Sequence, residues 1–527
     1  MARFPFFQRL SQAPTVPRAA PVARTFDVAE LYDGPVPLDH AAEAGGVRLD
    51  EKLRQAYFWI VNTAVISPHY DVEFQDGPSP EFRIGDSRTL LTLPSAQSYS
   101  SYALLPLLTF ATQGKCLFVG GPGRGKTASA ILMGVIAGYP VREVRRAMQH
   151  GHPQMTIADL LGNPLPADLV AAQSMEAIRV AWRPWLGMRV KIVDEYNRIP
   201  TRTQSALLTV MGDDYAEVLG QIYECPKAAW YLTANDDAGG GTYQVIEALR
   251  DRIDVIVQAL SFNPRFLDDL LVRIEENVRP EDVVPREIVF DEGEIARVVQ
   301  TVRAVPIPAE VRRRVEFFAS QFEFLETAGA QVEHMSKDTA RLSGADWAQV
   351  TAADAGRDRL KDIGTQTVNG LSVRNLMTLI GYAKAMAFFR GADEVELEDV
   401  RQVLPFVLRD KLRADPDAPF FALPENAAYR TDQVGWLRRL FDLASEEYDR
   451  LDLDRDDPVR AMAEEFAAGL DGLGEREVRA RLTRIERLVG ERTAGRKLYG
   501  PLHDELLHLK YLHQRYTNYL AWLRRRA

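Results

Sequence analysis

Residues 120–127, Gly-Gly-Pro-Gly-Arg-Gly-Lys-Thr, meet the spacing GxxxxGK[ST]. The chemistry this spacing serves is phosphate binding. Gly120, Gly121, Gly123 and Gly125, with Pro122 and Arg124 between them, let successive backbone N–H groups turn inward around phosphate oxygens. Lys126 can reach terminal phosphate oxygens, and the Thr127 hydroxyl can ligate a divalent cation such as Mg²⁺. The helix expected from Lys126 to about Gly138, with Ala128 in its first turn, points its positive end at the same anion. A second set of groups follows downstream. Val190, Ile192 and Val193 lead into Asp194 and Glu195, two acids at the carboxyl end of an expected strand. In an open α/β sheet that edge is where ligands bind. Asp194 there would help hold Mg²⁺ on a nucleoside triphosphate such as ATP, and Glu195 would be the base that polarises a water.

These groups need a sheet to hold them. Lys115–Gly120, Met188–Val193, Ala228–Ala234 and Ile253–Val257 are short continuous apolar runs, the pattern of strands buried on both faces. Val141–Met148 is a weaker fifth candidate. Helical patterns lie between them, so an α/β fold with a doubly wound parallel sheet is expected. Beyond Asn263 the pattern turns helical to the end of the chain.

With these residues placed, the core resembles the AAA+ ATPases, and most closely the MoxR family. The run Asp194-Glu195-Tyr196-Asn197-Arg198-Ile199-Pro200 through Gln204, Ala206, Leu207 and Leu208 is similar to that family's acidic signature, with Tyr196 where an aliphatic residue is usual. The resemblance spans about residues 99 to 412. It implies a P-loop AAA+ fold with a helical lid, ATP hydrolysis with Mg²⁺ at Thr127 and Asp194, and assembly into a homo-oligomeric ring, expected as a hexamer. It implies further roles. Asn235, at the end of Tyr231–Asn235, would be sensor 1 and help Glu195 orient the lytic water. Gly241-Thr242-Tyr243 follows in the family pattern. Arg252 would be the arginine finger inserted into the neighbour's site, with Arg250 the second candidate. Arg374, in Gly370–Arg374, would be sensor 2 and reach the γ-phosphate of its own subunit. Arginine suits such work because it stays charged and offers a planar fork of donors. Two insertions are expected, between Met155 and Pro184 and from Met211 to Pro226. The second brings Tyr215 forward as a substrate contact in a pore, against simple packing or exposure. The family is associated with chaperone-like maturation of protein clients, often beside a von Willebrand A domain partner.

The expected organisation is an arm at 1–26, an extension with a helix and a small hairpin at 27–98, the α/β domain at 99–262, a lid with an insertion near 320–369 at 263–412, and a helical C-terminal domain at 413–527. The arm, with four arginines and no acid before Asp27, reads as disordered, with a docking sequence or transit peptide as alternatives. In the last domain Val434, Leu437, Phe441, Ala444 and Tyr448 form one helical stripe, and Leu502, Leu506, Leu509, Tyr516, Leu520 and Leu523 another.

Composition narrows the classes. Among 527 residues, 46% hydrophobic and 26% charged, two cysteines cannot build a disulfide framework, which fits a reducing compartment and a cytoplasmic location. A formal charge of −10 argues against a dedicated nucleic-acid binder. No membrane span is expected, because no apolar run is long enough. His150 and His152 have no metal-binding companions nearby, so no zinc site is expected. His513 reads as a packed histidine. Asp452–Asp456 begins like a calcium loop, but Asp457 and Ala463 stand where Gly and Glu are required. A nucleic-acid-stimulated motor and a slow nucleotide-switched scaffold are the alternatives to a protein-remodelling ATPase.

Overall fold

Each of the four apolar runs forms a strand of one sheet in the computed structural model. It describes residues 48–65, 68–87, 89–166, 178–235, 247–277, 279–323, 363–454, 457–470, 472–494 and 500–526. The arm at 1–26, Gly241–Tyr243 and most of the 320–369 insertion lie outside the described residues.

The described part of the extension begins with the helix Leu49–Trp59, which widens into a π-turn at Ile60–Ala64. Two small ladders follow. β1 (Val72–Glu73) and β4 (Ser98–Tyr99) pair around the hairpin of β2 (Glu81–Arg83) and β3 (Leu90–Thr92). The helix Ser101–Thr112 then leads into β5 (Lys115–Val119), and the helix Lys126–Ile136 leaves the phosphate loop.

Val141–Ala147 is helical, which corrects the expected fifth strand. Val141 and Val144 are three apart, a helical spacing as well as a β-branched pair, and Val144 is buried. The true fifth strand, β6, is the pair Gln149–His150 immediately after. The first insertion contributes a hairpin of β7 (Gly162–Pro164) and β8 (Val180–Trp182). β9 (Val190–Asp194) carries the two acids, and the helix Thr201–Asp213 follows. The second insertion is a hairpin of β10 (Tyr215–Val218) and β11 (Gln221–Glu224). β12 (Ala229–Ala234) and β13 (Val255–Gln258) complete the sheet.

Among the described residues the central sheet has the order β13-β5-β12-β9-β6, with every pairing parallel. Its alternating side chains feed two apolar layers. Cys116, Phe118, Ile192 and Tyr231 face one, and Leu117, Val193, Trp230 and Leu232 face the other. All six residues of β12 are buried, the physical reason its sequence shows no polar alternation.

The lid helices Val373–Arg390 and Leu397–Leu408 pack on the first layer. So does the helix Gln433–Arg450, whose Leu437, Phe441, Ala444 and Tyr448 are buried in that same layer. The expected domain boundary at 413 therefore does not separate its stripe from the main core. A distinct apolar cluster begins only at Val459 and joins Leu482, Ile485, Leu509, Tyr516 and Leu520. His513 is half-exposed and meets Glu486 at 3.1 Å instead of packing in apolar surroundings. Among the described residues no helix is long and apolar enough to cross a membrane.

One core residue gives a pH signature. Lys191 of β9 is 1% exposed and donates to the carbonyls of Met188 and Pro226 at 2.6 and 3.2 Å. Burial pushes its pKa down to about 8. The unfolded chain keeps that proton up to the ordinary lysine value near 10.5, so between these values it binds more protons than the folded state. Stability contributed by this group therefore rises from pH 8 to 10.5, with a slope of at most about 1.4 kcal/mol per pH unit. Lys191→Met is expected to remove that slope in urea unfolding curves across this window. An unchanged slope would refute the assignment.

Candidate functional site

The phosphate loop joins β5 to its helix through backbone that only glycine adopts without strain. Gly123 and Gly125 have φ of 74° and 78°, in the left-handed region, and Gly125 is the residue from which the helix starts. Tyr102 ties the loop down from outside. Its hydroxyl donates to the Arg124 carbonyl at 3.4 Å and accepts from Ser129 Oγ at 3.0 Å. Burial pushes its pKa up to about 12, which keeps the donor proton in place. Arg124 itself turns back and donates to the Ala259 carbonyl at 3.1 Å.

The sheet brings Lys126, Thr127, Asp194, Glu195 and Asn235 into one hydrogen-bonded group. Lys126 Nζ, buried, donates to the Gly120 and Gly121 carbonyls at 2.5 and 2.7 Å and to Asn235 Oδ1 at 2.9 Å. Asn235 Nδ2 donates to Glu195 Oε1, also at 2.9 Å. One amide thus links the lysine to the Glu195 carboxylate. Thr127 Oγ1 donates to Asp194 Oδ1 at 2.8 Å. A hydroxyl and a carboxylate at that distance are the hard oxygen donors that suit a magnesium ion bound along with phosphates and water, so these two residues fit the metal.

Several contributors were missed in the sequence. Thr233 Oγ1 donates to Asp194 Oδ1 at 2.7 Å and accepts from the Glu195 N–H at 2.9 Å, fixing both acids from the adjacent strand. A threonine in a strand is ordinary, and only its place two residues before Asn235 could have marked it. Arg198 Nη1 lies 3.3 Å from Glu195 Oε2, and His150 Nδ1 lies 3.5 Å from Asp194 Oδ2. Glu195 has φ of 53°, unusual for a residue with a side chain. Gly151 permits this. Its N–H donates to the Asp194 carbonyl at 2.7 Å, and a Cβ there would stand 2.2 Å from the Glu195 carbonyl oxygen.

The arginines lie elsewhere. Thr378, one turn beyond Arg374, donates to Asp254 Oδ1, while Asp254 Oδ2 accepts from the Lys115 N–H. That is the amino end of β5, and the phosphate loop follows its carboxyl end, about 13 Å away along the strand. Arg374 Nη1 is 3.6 Å from Asp251 Oδ2. It is therefore at the edge of the sheet opposite its own loop, which corrects the expected contact with the γ-phosphate of the same subunit. Arg252 shares this end of the sheet and is half-buried, its Nη1 donating to the Leu208 carbonyl at 2.6 Å. Arg250 is more exposed and meets Asp410 at 2.9 Å. Tyr215 sits at the base of its hairpin and is half-buried, while Leu219 and Ile222 near the tip are exposed.

The family model described as "ATPase family associated with various cellular activities (AAA)" matches residues 115–255, and the AAA lid domain matches 359–428. Chaperone MoxR1 of Mycobacterium tuberculosis is 25% identical over 315 residues, covering 59% of this chain and 71% of its own. Residues 115–255 and 359–428 thus match an AAA ATPase core and its lid, and the chain is similar to a MoxR-type chaperone. The uncharacterised YeaC of Bacillus subtilis is 23% identical over 336 residues, 62% of this chain and 86% of YeaC. A crystal structure from Cytophaga hutchinsonii aligns with a TM-score of 0.43 and 20% identity, covering 63% of this chain and 88% of that one. The matched segments contain the phosphate loop, both acids, Asn235 and Arg374, whereas residues 48–114 and the helix Gln433–Arg450 lie outside both family models.

Proposed function

We propose that this chain is a MoxR-type ATPase that works as a ring of identical subunits, expected as a hexamer, with Mg²⁺-dependent ATP hydrolysis at sites shared between neighbours. The cycle would remodel a protein client, in keeping with the chaperone designation of its Mycobacterium tuberculosis relative. A von Willebrand A domain protein is one candidate partner. The free, buried thiols Cys116 and Cys225 are in keeping with a reducing compartment such as the cytoplasm.

The observation that carries the shared site is the separation of its parts. Lys126, Thr127, Asp194, Glu195 and Asn235 stand at the carboxyl edge of the sheet, and Arg252 and Arg374 at the opposite edge. A chain so built has the phosphate grip with neither Arg252 nor Arg374 on the same side to stabilise charge on the transferring phosphoryl group, and a head-to-tail neighbour would supply them. Loop N–H groups and Lys126 would bind the triphosphate, and Glu195, oriented by Asn235, would accept the proton of the attacking water. Thr127 and Asp194 would hold the metal, which supplies charge neutralisation between the phosphates. The exposed tip at Leu219 and Ile222, rather than Tyr215, is the better client contact in a pore.

Mixing tests the reading. Arg252→Ala subunits and Glu195→Gln subunits, each inactive alone, are expected to regain ATPase activity in mixed rings, where one interface carries both native residues. Mixed rings verified by native mass spectrometry but lacking activity would overturn the shared site, with Arg250→Ala repeated in the same design. Strong, salt-sensitive stimulation by DNA or RNA would instead favour a nucleic-acid motor.

A further inference from the structure

Beside the phosphate loop opens a cavity of about 670 Å³. It touches Gly123–Gly125 of the loop and Ala128 and Ser129 of the following helix, while the side chains of Asp194, Glu195 and Asn235 are not in its wall. A nucleotide with its terminal phosphates at Lys126 and Thr127 would direct its ribose and base this way. The volume lies within the ordinary range for small-molecule pockets.

Much of the remaining wall comes from outside the family-matched segments. The extension supplies residues from Ile60 to Glu73, and the helix Gln433–Arg450 supplies Val434, Gly435 and Arg438. Arg438 is the notable group. Its Nη2 donates to the Asp71 carbonyl at 3.0 Å, and its buried Nε has no hydrogen-bond partner among the described residues. A buried donor left unmatched is uncommon and costs stability. The Asp71 carboxylate is already taken by Ser101, whose N–H and Oγ donate to it at 2.8 and 2.7 Å. The next residue, Tyr102, holds the Arg124 carbonyl. Arg438 is thus joined to the phosphate loop through Asp71 and the helix Ser101–Thr112.

We propose that the helix Gln433–Arg450 closes the nucleoside end of the ATP site and that Arg438 positions the ribose and base there. The family's matched core would then grip the phosphates, and segments outside it would read the nucleoside. This rests on the ATP-binding reading above.

Titration calorimetry on the full chain, with ATP and with inorganic tripolyphosphate as separate probes, tests it. Arg438→Ala is expected to weaken ATP about tenfold or more while leaving tripolyphosphate unchanged, and Arg438→Lys to recover part of the loss. Val434→Trp, which fills the cavity from the same helix, should act in the same direction. Equal losses for both probes would mean a merely structural role, and no loss for either would mean the wall is not used; each overturns the proposal. Should the unaltered protein bind neither probe, the ATP-binding reading itself fails. If it binds both and the variants do not separate them, this inference alone does.

Discussion

The Glu195→Gln protein is expected to bind ATP as tightly as the parent and to hydrolyse it about 10²–10⁴ times more slowly, the usual worth of a positioned base. Glutamine keeps the oxygen that accepts from Asn235 Nδ2, so that contact survives. It cannot take a proton from water. The substitution also removes the charge facing Arg198, but that pair is partly exposed and contributes little to stability. The prediction therefore has two parts: retained affinity by calorimetry and lost turnover by phosphate release. Near-parental turnover would remove Glu195 from its role as base.

The Lys126→Ala protein is expected to lose nucleotide binding itself. The lysine is the charged donor of the loop, and it is already out of bulk water, with 7% exposure. Truncating one partner of a buried, charged hydrogen-bonded pair costs about 2–5 kcal/mol, roughly 30-fold to several thousand-fold in affinity. Folding should survive, because the groups it touches, the Gly120 and Gly121 carbonyls and Asn235, can turn to water that enters with the lost side chain. Tripolyphosphate and ATP should be affected alike, since both present the oxygens the lysine holds. Retained tight binding with a normal melting profile would break the assignment.

The phosphate loop was legible because few residue types permit that backbone, and because a lysine and a hydroxyl at fixed spacing have one shared ligand. The strands were legible because burial on both faces leaves an unbroken apolar run, as in Ala229–Ala234. What failed was local ambiguity and long-range placement. Val141 and Val144 suit a strand or a helix, and only packing decided for the helix. A stripe such as Leu437–Phe441–Ala444 says that a face is buried but not against what, so its membership of the main core could not be read. The edge at which Arg374 stands was illegible for the same reason: spacing along the chain does not say which end of a sheet a helix begins from. Thr233 was silent because its type is common where it stands.

The close approach at Gly151 reaches beyond its own position. Among the described residues β6 is the outermost strand of the sheet beside β9, and its neighbour Gly151 lies directly against the peptide of Glu195, the proposed base. A force that displaced this margin of the domain by a fraction of an ångström would tilt the Glu195 peptide and swing its carboxylate off the water's path. On the proposed role of Glu195, turnover would then fall from a change at the rim alone, with every side chain of the site left in place.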